Sequence, residues 1–356
     1  MKKLNGLSLF ASAGIAEMNL DKCNINIVVA NELLDIRAKV HSFWHPKSSV
    51  IVGSITDDDV KTEIIEQSQK RNVEFVLATP PCQGVSLIGK NKSNEDMVND
   101  PRNYLIFHAF DVIDKISPKI VVIENVDRFL KMKFPYKDGF YNIEFILHDK
   151  YSSKYDISVN VYNAMDYGVP QSRNRCIMVL TTKDYIFTMP EKEKIITVRE
   201  AIGNLPSIES GEKSEIKNHY ARKHTLEQVL WMQHTPTGHS AFENEIYFPQ
   251  KKNGDRLKGY MATYKRIDWD KPAPTITMRN DAISSQSNVH PGRLLENGLY
   301  SDARVLTLRE LFILSSINPD IDIPTFASDS QIRYMIGEAV PPKLIEAVCS
   351  NIKERF

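Results

Sequence analysis

A cysteine follows directly on two prolines in the stretch FVLATPPCQGVSL, residues 75–87. The four residues FVLA are typical of a buried strand, and the two prolines prevent that strand or a helix from continuing. Cys82 is therefore predicted to lie in a loop at a strand end, where a rigid sheet often positions catalytic groups. A thiol there is a candidate nucleophile, although cysteines in general are more often inert.

An acid and two arginines also fall at the ends of apolar runs. Glu124 follows IVVI, so it is expected beside Cys82 at the same edge of a parallel sheet, an arrangement that suggests covalent catalysis with an acid partner. Arg173 and Arg175 alternate in QSRNRC, which predicts that both guanidinium groups face one oxygen-rich target. Each feature taken alone is also compatible with an ordinary solvated surface.

The elements that must position these residues are short apolar runs separated by helix-compatible segments. The runs are LSLF, INIVVA, VIVG, FVLA, IVVI and CIMVL, and the helical segments include Leu33 to Ser42 and Asp59 to Gln69. Strands that alternate with helices and are apolar throughout predict an α/β fold, with a mostly parallel sheet covered by helices on both faces. Such folds bind ligands outside the carboxyl ends of their strands.

The character of the chain divides it into three parts. Residues 1–182 alternate strands and helices and are predicted to form a catalytic and cofactor-binding domain. Residues 183–301 contain five of the nine histidines and little periodicity, which predicts a smaller, loop-rich domain. Residues 302–356 regain helix signals in LTLRELFILSS and PPKLIEAVCSNIKERF, and we expect them to pack back on the first domain.

Composition limits the class of protein. The 356 residues are 42% hydrophobic, and the 45 basic and 45 acidic residues cancel. The four cysteines lack CxxC spacing, so neither a disulfide framework nor a metal site is predicted, and a reducing cytoplasm fits best. The apolar part of MKKLNGLSLFASAG is too short and broken for a secretion signal, and no apolar run is long enough to cross a bilayer.

A local basic patch departs from this neutral balance. Between Lys251 and Arg279, eight lysines or arginines stand against three acids, with Tyr260, Tyr264 and Trp269 interleaved. Such a patch suits phosphate binding, and it is equally compatible with a solvated surface.

The first two strand ends suggest a nucleoside site. Glu32 closes the second run, where an acid in a nucleotide-binding sheet commonly accepts hydrogen bonds from ribose hydroxyls. The turn FASAGIAE has one glycine rather than the three of a dinucleotide fingerprint. A cofactor without phosphates, such as S-adenosylmethionine, therefore fits better than a dinucleotide, and a purely structural turn is the alternative.

Taken in order, these segments resemble the motif series of the cytosine-5 DNA methyltransferases over nearly the whole chain. SLFASAG, NELL, GSI and DPRNYL resemble the cofactor motifs, and PPCQGVS, ENV and QSRNR resemble the nucleophile, acid and QxRxR motifs. RVLTLRE and IGEAVPPKL resemble the last two motifs. The variable region after QxRxR, residues 183–301, resembles the DNA-binding target-recognition domain, and PAPTIT resembles its end. The order of PCQ, ENV and QxRxR is the most specific part of the likeness.

The resemblance implies a chemistry for the strand-end residues. Cys82 adds to C6 of cytosine, Glu124 holds or protonates N3, Arg175 binds O2, and Arg173 supports phosphate and loop geometry. The product is 5-methylcytosine, and the base must be flipped out of the duplex because C5 is unreachable in a stacked helix. Double-stranded DNA is therefore expected in a cleft between two lobes.

The resemblance also implies binding residues and partners. The cofactor S-adenosylmethionine is expected to contact Phe10, Ser12, Ala13, Gly14, Ile15, Glu32, Leu33, Ser54, Ile55, Pro81, Leu105, Ala339 and Val340. DNA is expected to contact Gln83, Ser86, Lys265, Arg266, Thr275, Ile276 and Arg279. No metal is expected. The family further implies a monomeric, nucleoid-associated enzyme of the prokaryotic cytoplasm, with a restriction endonuclease of the same site as a candidate partner.

Three positions depart from the family pattern. Ser12 replaces the usual second glycine, Ser54 the usual aspartate, and Glu338-Ala339 the usual Asn-Ser. Ser54 removes a carboxylate acceptor for the adenine amino group, which predicts weaker cofactor binding or replacement by a neighbour such as Asp57.

Three alternatives stay open. Methyltransferases of adenine N6 or cytosine N4 have an Asp, Asn or Ser before Pro-Pro and an aromatic residue after it, and TPPC matches neither end. A tRNA-methylating relative usually carries Cys-Phe-Thr, which follows none of the four cysteines. A catalytically silent DNA-binding homologue would have little reason to keep Cys82, Glu124 and Arg175 together.

Overall fold

Most strands of the first half of the chain belong to one large sheet. The computed structural model describes residues 2–81 and 104–355. Its strands are β1 (Leu4–Leu9), β2 (Ile25–Glu32), β3 (Ser49–Val52), β4 (Val73–Ala78), β5 (Ile120–Asn125), β6 (Lys133–Tyr136), β7 (Gly139–Asn142), β8 (Tyr155–Asn163), β9 (Asn174–Thr182), β10 (Tyr185–Phe187) and β11 (Ile352–Glu354). The main sheet has seven strands in the order β3-β2-β1-β4-β5-β9-β8.

Strand direction reverses at one strand of this sheet, β9. The strands from β3 to β5 are parallel, whereas β9 runs antiparallel to both β5 and β8. The remaining strands form two small antiparallel pairs, β6 with β7 and β10 with β11. The mostly parallel α/β fold predicted from the sequence is confirmed, and the reversed direction of β9 is an addition to it.

Helices connect the strands of the sheet, and short helices lie between irregular segments in the second half of the chain. They are α1 (Asp35–Trp44), α2 (Asp58–Lys70), α3 (Leu105–Ile116), α4 (Ile143–Tyr151), α5 (Val198–Ile202), α6 (Leu226–Gln233), α7 (Leu308–Leu314), α8 (Asp329–Glu338) and α9 (Pro342–Cys349). Helix α9 begins at a proline, as expected, because the first helical residue needs no amide hydrogen-bond donor. The rest of that predicted helical segment differs, since Ile352–Glu354 pairs with β10 instead.

The central strands are buried on both faces and so provide a rigid platform. All six residues of β5 are buried, and its first four side chains are completely inaccessible. Helix α3 covers the sheet with an apolar face that includes Ile106, Ala109 and Phe110. No helix among the described residues is long and apolar enough to span a membrane.

The neighbouring strands β1 and β4 mark the point where the connections diverge. From β1 the chain leads to β2 and β3 on one side, while β4 and β5 lie on the other. The two loops that leave these strands are tied together, because Thr79 donates from its amide to the carbonyl of Leu9 at 3.2 Å and from its hydroxyl to that of Phe10 at 3.1 Å. In α/β folds, ligands bind outside the carboxyl ends of the strands at such a switch point.

The chain forms two compact units. The first contains residues 1–163, 174–192 and 344–356, and the second contains residues 164–173 and 193–343. These boundaries differ from the predicted ones, because residues 302–343 lie with the second unit. Val305 packs in one apolar cluster with Trp231 and Met232, and Arg304 donates to the carbonyl of Ile208 at 2.7 Å. The functional roles assigned to the domains stay predictions.

Candidate active site

The loop after β1 has an unusual backbone. Phe10, Ser12 and Gly14 all have positive φ, at 60°, 46° and 75°. Residues other than glycine seldom adopt this conformation, and when they do, the surrounding contacts must hold it. At Ser12 such a contact is present, because its amide donates to Glu32 Oε2 at 2.8 Å. The serine that departs from the family pattern therefore occupies a backbone conformation that glycine would adopt without strain.

Glu32 closes β2 and organises both neighbouring loops. Its Oε1 accepts a hydrogen bond from the Leu34 amide at 2.9 Å and lies 3.7 Å from Arg37 Nη1. Glu32 is buried, whereas Leu33 beside it is 61% exposed. A fixed carboxylate next to an exposed apolar side chain has the character of a nucleoside site, with an acceptor for hydroxyl groups and a surface for a flat base.

The remaining cofactor candidates of this unit lie in or next to the loops. Ala13, Ile15 and Ile55 are buried, and Leu105 is the first residue of α3. The Ser54 hydroxyl lies 2.7 Å from Thr56 Oγ1 and is part of a local turn. Pro81 is the last described residue before residues 82–103.

Asp57, the expected substitute for the missing aspartate, has a structural task. Its Oδ1 accepts hydrogen bonds from the amides of Asp59 and Val60, at 2.9 and 3.3 Å, and so caps the start of α2. That Asp57 supplies the carboxylate that Ser54 lacks stays a prediction.

Glu124 and Arg175 meet at the carboxyl end of β5. The register pairs Glu124 with Ile177 on the antiparallel strand β9, so Arg175 is the diagonal neighbour on the same face. Arg175 Nε lies 2.8 Å from Glu124 Oε1, and the two side chains are only 12% and 8% exposed. The sheet therefore presents a fixed acid and cation at its active edge.

Arg173 has a different environment from Arg175. It is buried, and its guanidinium donates to the carbonyls of Ile276, Gly337 and Glu338 at 2.8, 3.0 and 3.3 Å. The expectation that both arginines converge on one target is wrong in this structure, because Arg173 bonds to backbone carbonyls of the second unit. These bonds are consistent with the predicted support of loop geometry by Arg173, and its role in the reaction stays a prediction.

The same segments of the second unit are joined by two further contacts. Gln171 donates to the Leu314 carbonyl at 3.2 Å and accepts from the Ile276 amide at 3.2 Å. A Cβ at Gly337 would lie 2.2 Å from the Thr277 carbonyl oxygen, so only glycine fits there. Gly337 lies in α8, and directly after this helix Ala339 is half-buried and Val340 is 3% exposed. Their predicted contact with the cofactor stays a prediction.

The predicted nucleophile Cys82 lies outside the described residues, as do the predicted DNA contacts Gln83 and Ser86. The other three cysteines, Cys23, Cys176 and Cys349, are buried. Burial raises the pKa of each of these thiols, and the charge of Glu124 raises that of Cys176 further. The described thiols are therefore poorly suited to nucleophilic chemistry.

The structure corrects the expectation for Arg266 as a DNA contact. This residue is completely buried, and its guanidinium donates to carbonyls that include those of Met232, His290 and Ser301, at 2.7–3.2 Å. Ile276 is also buried, at 6% exposure, so its side chain offers DNA little surface.

Three of the expected DNA contacts retain accessible surface. Thr275 is exposed and donates to the Ser172 carbonyl, the Arg279 side chain is 79% exposed, and Lys265 is half-buried. Their role in binding DNA stays a prediction.

A buried cluster beside the first loop was missed by the sequence reasoning. Glu17, His41 and His45 offer donor atoms that all lie within 4.8 Å of one another. The spacing of the two histidines, four residues apart in a segment predicted to be helical, is the signal that could have found it.

Comparison with known proteins agrees with the motif series over the full length. A sequence model of C-5 cytosine-specific DNA methylases matches residues 4–354. The chain is 47% identical over 351 residues to Type II methyltransferase M1.HgaI of Avibacterium volantium, which covers 99% of this chain and 98% of the relative. It is 28% identical over 353 residues to Type II methyltransferase M1.HphI of Haemophilus parahaemolyticus, covering 98% and 86%.

A solved structure of a methyltransferase from Entamoeba histolytica superimposes with a TM-score of 0.65. It is 18% identical and covers 98% of this chain and 97% of that one, a likeness that bears on the fold alone.

Proposed function

The chain belongs to the C-5 cytosine-specific DNA methylases and is a DNA cytosine-5 methyltransferase, and from that premise we propose how its residues divide the reaction. Cys82 is the nucleophile that adds to C6, Glu124 is the acid at N3, and Arg175 binds O2 of the cytosine. S-adenosylmethionine supplies the electrophilic methyl group that C5 accepts.

The observation that carries this proposal is the Glu124–Arg175 pair, 2.8 Å apart at the carboxyl end of β5. Addition of a thiolate to C6 pushes electrons into the ring, so negative charge develops on N3 and O2. A proton delivered to N3 and a cation at O2 both relieve that charge, and each works best when it is fixed in advance. The antiparallel register of β5 and β9 supplies this fixation.

The proposed reaction begins with addition of Cys82 to the base and ends with its elimination. The Cys82 thiolate forms the bond to C6 while Glu124 donates its proton to N3, which makes C5 nucleophilic. After C5 has gained the methyl group, a base removes the proton that C5 still carries. N3 then returns its proton to Glu124, and the Cys82–C6 bond breaks. The products are 5-methylcytosine, S-adenosylhomocysteine and free Cys82.

Two features support Cys82 as the thiol. The three other cysteines are buried, and their pKa values are raised. In the sequence, Cys82 follows Pro81, the last described residue after β4, and α/β enzymes bind their ligands at a switch point such as the one between β1 and β4.

The loops after β1 and β2 fit S-adenosylmethionine. We infer that the Glu32 carboxylate binds the ribose hydroxyls and that Leu33 lies against the adenine. Each Glu32 oxygen already accepts one amide hydrogen bond and keeps a second lone pair for a hydroxyl.

We infer that duplex DNA lies against the basic segment around residues 251–279. Lys251, Lys252 and Lys258 are exposed, and Tyr260 is 81% exposed. Arg256 is also exposed, but its guanidinium is engaged by the protein itself, over the ring of Phe248 at 3.7 Å and on the Phe242 carbonyl at 2.7 Å. The target cytosine is flipped, because C5 cannot be reached in a stacked duplex.

A place in a restriction-modification system follows from the relatives named as Type II methyltransferases. We propose that the enzyme acts as a monomer and protects one DNA site from a partner endonuclease. Finding a nuclease gene beside its own would support this, and bisulfite sequencing of DNA from expressing cells should then show the nuclease site methylated.

The deciding experiment is nucleoside mass spectrometry on duplex DNA incubated with the protein and methyl-labelled S-adenosylmethionine. Label in 5-methylcytosine, absent with Cys82→Ala, supports the proposal. Label in N4-methylcytosine or N6-methyladenine contradicts it. If only a tRNA substrate becomes labelled, the same chemistry acts on RNA and not on DNA.

A further inference from the structure

Glu17, His41 and His45 lie directly beneath the loop that leaves β1, and the reaction gives them no part. Glu17 ends a short 3-10 helix at Ile15–Glu17, His41 is in α1, and His45 follows the end of α1. Glu17 Oε2 lies 3.0 Å from His41 Nε2, and His45 Nε2 lies 2.9 Å from the Gly14 carbonyl oxygen. The two imidazole ring centroids are 4.8 Å apart.

The two rings leave no free space at Gly14. A Cβ on this residue would lie 2.5 Å from His45 and 2.8 Å from His41, and the φ of 75° disfavours any side chain. The backbone at Gly14 is thus set by the imidazoles below it. Two residues away, the Ser12 amide holds Glu32, so the loop is fixed from both sides.

Hydrogen bonding gives each imidazole a defined orientation. Although burial raises the pKa of Glu17, the neighbouring His41 lowers it, and the net shift is downward. An ionised Glu17 accepts a hydrogen bond from His41 Nε2, and the carbonyl of Gly14 can only accept one from His45 Nε2. Both rings therefore carry a hydrogen on Nε2.

We propose that Glu17, His41 and His45 are positioning residues that set the geometry of the Phe10–Gly14 loop and thereby the affinity for S-adenosylmethionine. The inference rests on the proposed cofactor site. A carboxylate and two imidazoles are also a set that binds zinc. Here, however, the two Nε2 atoms already face acceptors of the protein, which favours a hydrogen-bonded brace over an ion.

The test compares two substitutions of His45. His45→Leu removes the donor to the Gly14 carbonyl, and His45→Gln keeps an amide donor. We expect His45→Leu to weaken the binding of S-adenosylmethionine about tenfold by calorimetry, and His45→Gln to restore most of it. KM for the cofactor should rise while kcat at saturating cofactor stays close to wild type.

A matched control separates positioning from general stability. Tyr155→Phe removes a buried hydrogen bond to the Pro118 carbonyl in the same unit, at the amino edge of the sheet. It should lower the melting temperature without changing cofactor affinity. If His45→Leu does not fold, Glu17→Gln, which keeps the side-chain volume, should shift the cofactor affinity in the same direction.

The outcomes are distinct. Wild-type protein that binds no S-adenosylmethionine overturns the proposed cofactor site and this inference with it. Wild-type binding with unchanged affinity in His45→Leu overturns the brace alone. Stoichiometric binding of Co²⁺ with the absorption bands of a histidine-ligated ion, lost in His45→Leu, would show a metal site in place of the brace.

Discussion

Glu124, at the carboxyl end of β5, gives the most direct prediction at the scale of single residues. Glu124→Gln keeps the shape of the side chain but cannot donate a proton to N3. We expect the single-turnover rate of methyl transfer to fall by about 10² to 10⁴, the usual contribution of a positioned acid, while DNA affinity is retained.

Glu74→Gln is the matched control for Glu124→Gln. Glu74 is in β4, near the amino edge of the same sheet, and pairs with Lys119 at 2.6 Å. Its substitution should leave the rate unchanged. A wild-type rate in Glu124→Gln, or an equal loss in both variants, would contradict the assigned role.

A second residue prediction concerns the carboxylate at the end of β2. Glu32→Gln replaces one acceptor oxygen by an NH₂ group, which must then face the donor amide of Ser12 or Leu34. Because hydrogen bonds to charged groups contribute about 1.5–3 kcal/mol, the affinity for S-adenosylmethionine should fall at least about tenfold. Calorimetry measures it, and Glu63→Gln on the exposed face of α2 should bind like wild type.

Single residues also show where sequence reasoning reaches its limit. Glu32 and Glu124 could be placed because each ends an apolar strand. Arg173 and Arg266 could not, because a guanidinium is expected at the surface. Each is buried only because backbone carbonyls from segments far apart in the sequence converge around it, and no local pattern records that convergence.

At the scale of elements, the strands were predictable and their directions only in part. An apolar run such as CIMVL looks the same whether its strand is parallel or antiparallel, so the reversal of β9 left no sign in the sequence. Strand β8 was missed because polar residues such as Asp156, Ser158 and Asn160 interrupt it. It is an edge strand of the sheet, where continuous burial is not required.

The start of α2 carries the element-scale prediction. Asp57→Ala removes the cap that accepts from the amides of Asp59 and Val60, so the free energy of unfolding should fall by about 1 kcal/mol. Asp57→Asn keeps a good cap and should preserve both stability and cofactor affinity. Denaturant titration and calorimetry measure the two quantities. A large loss of cofactor affinity in Asp57→Asn would instead mean that Asp57 does replace the carboxylate missing at Ser54.

At the scale of the whole molecule, the second unit has a charged interior. Asp302 and Glu310 bind Arg304 at 2.8–3.0 Å, and His290 lies among them. Burial and the charge of Arg304 lower the pKa of His290 to about 3, and burial lowers that of His224 to about 4. Burial raises the pKa of Glu310, but the attraction of Arg304 outweighs it and leaves a value of about 2.

These shifts predict that acid destabilises the protein in two stages. Between pH 6.5 and about 4, the unfolded chain protonates both histidines and the folded chain does not, so stability falls as pH falls. Below pH 4.5, protonation of unfolded Glu310 continues the loss. Each group contributes a slope of up to about 1.4 kcal/mol per pH unit within its own interval.

Denaturant unfolding followed by tryptophan fluorescence tests this pH dependence. A Trp44→Phe background leaves Trp231 and Trp269, both in the second unit, as the reporters. His290→Asn, which keeps an acceptor for the Gly292 amide, should be less stable at pH 7 but should lose less stability between pH 6.5 and 4. If the free energy of unfolding of this variant changes with pH as in the parent protein, His290 is not the neutral, buried group inferred here.

The basic segment gives the last prediction, which concerns how the molecule meets DNA. Each lysine that neutralises a phosphate releases counterions, and so contributes about 0.9 to the slope of log affinity against log salt. Replacing Lys251, Lys252 and Lys258 by glutamine should therefore weaken DNA binding most at low salt and flatten that slope by up to about 2.7.

The control for this variant removes the same charge elsewhere. Lys70, Lys115 and Lys183 are exposed at the amino edge of the sheet, where α2, α3 and β9 end, away from the loops that carry the chemistry. Both triple variants replace three lysines by glutamine, so they change the total charge equally. If the two variants shift the salt dependence alike, DNA responds only to overall charge. A shift confined to the first variant instead assigns the phosphate contacts to the segment before Thr275.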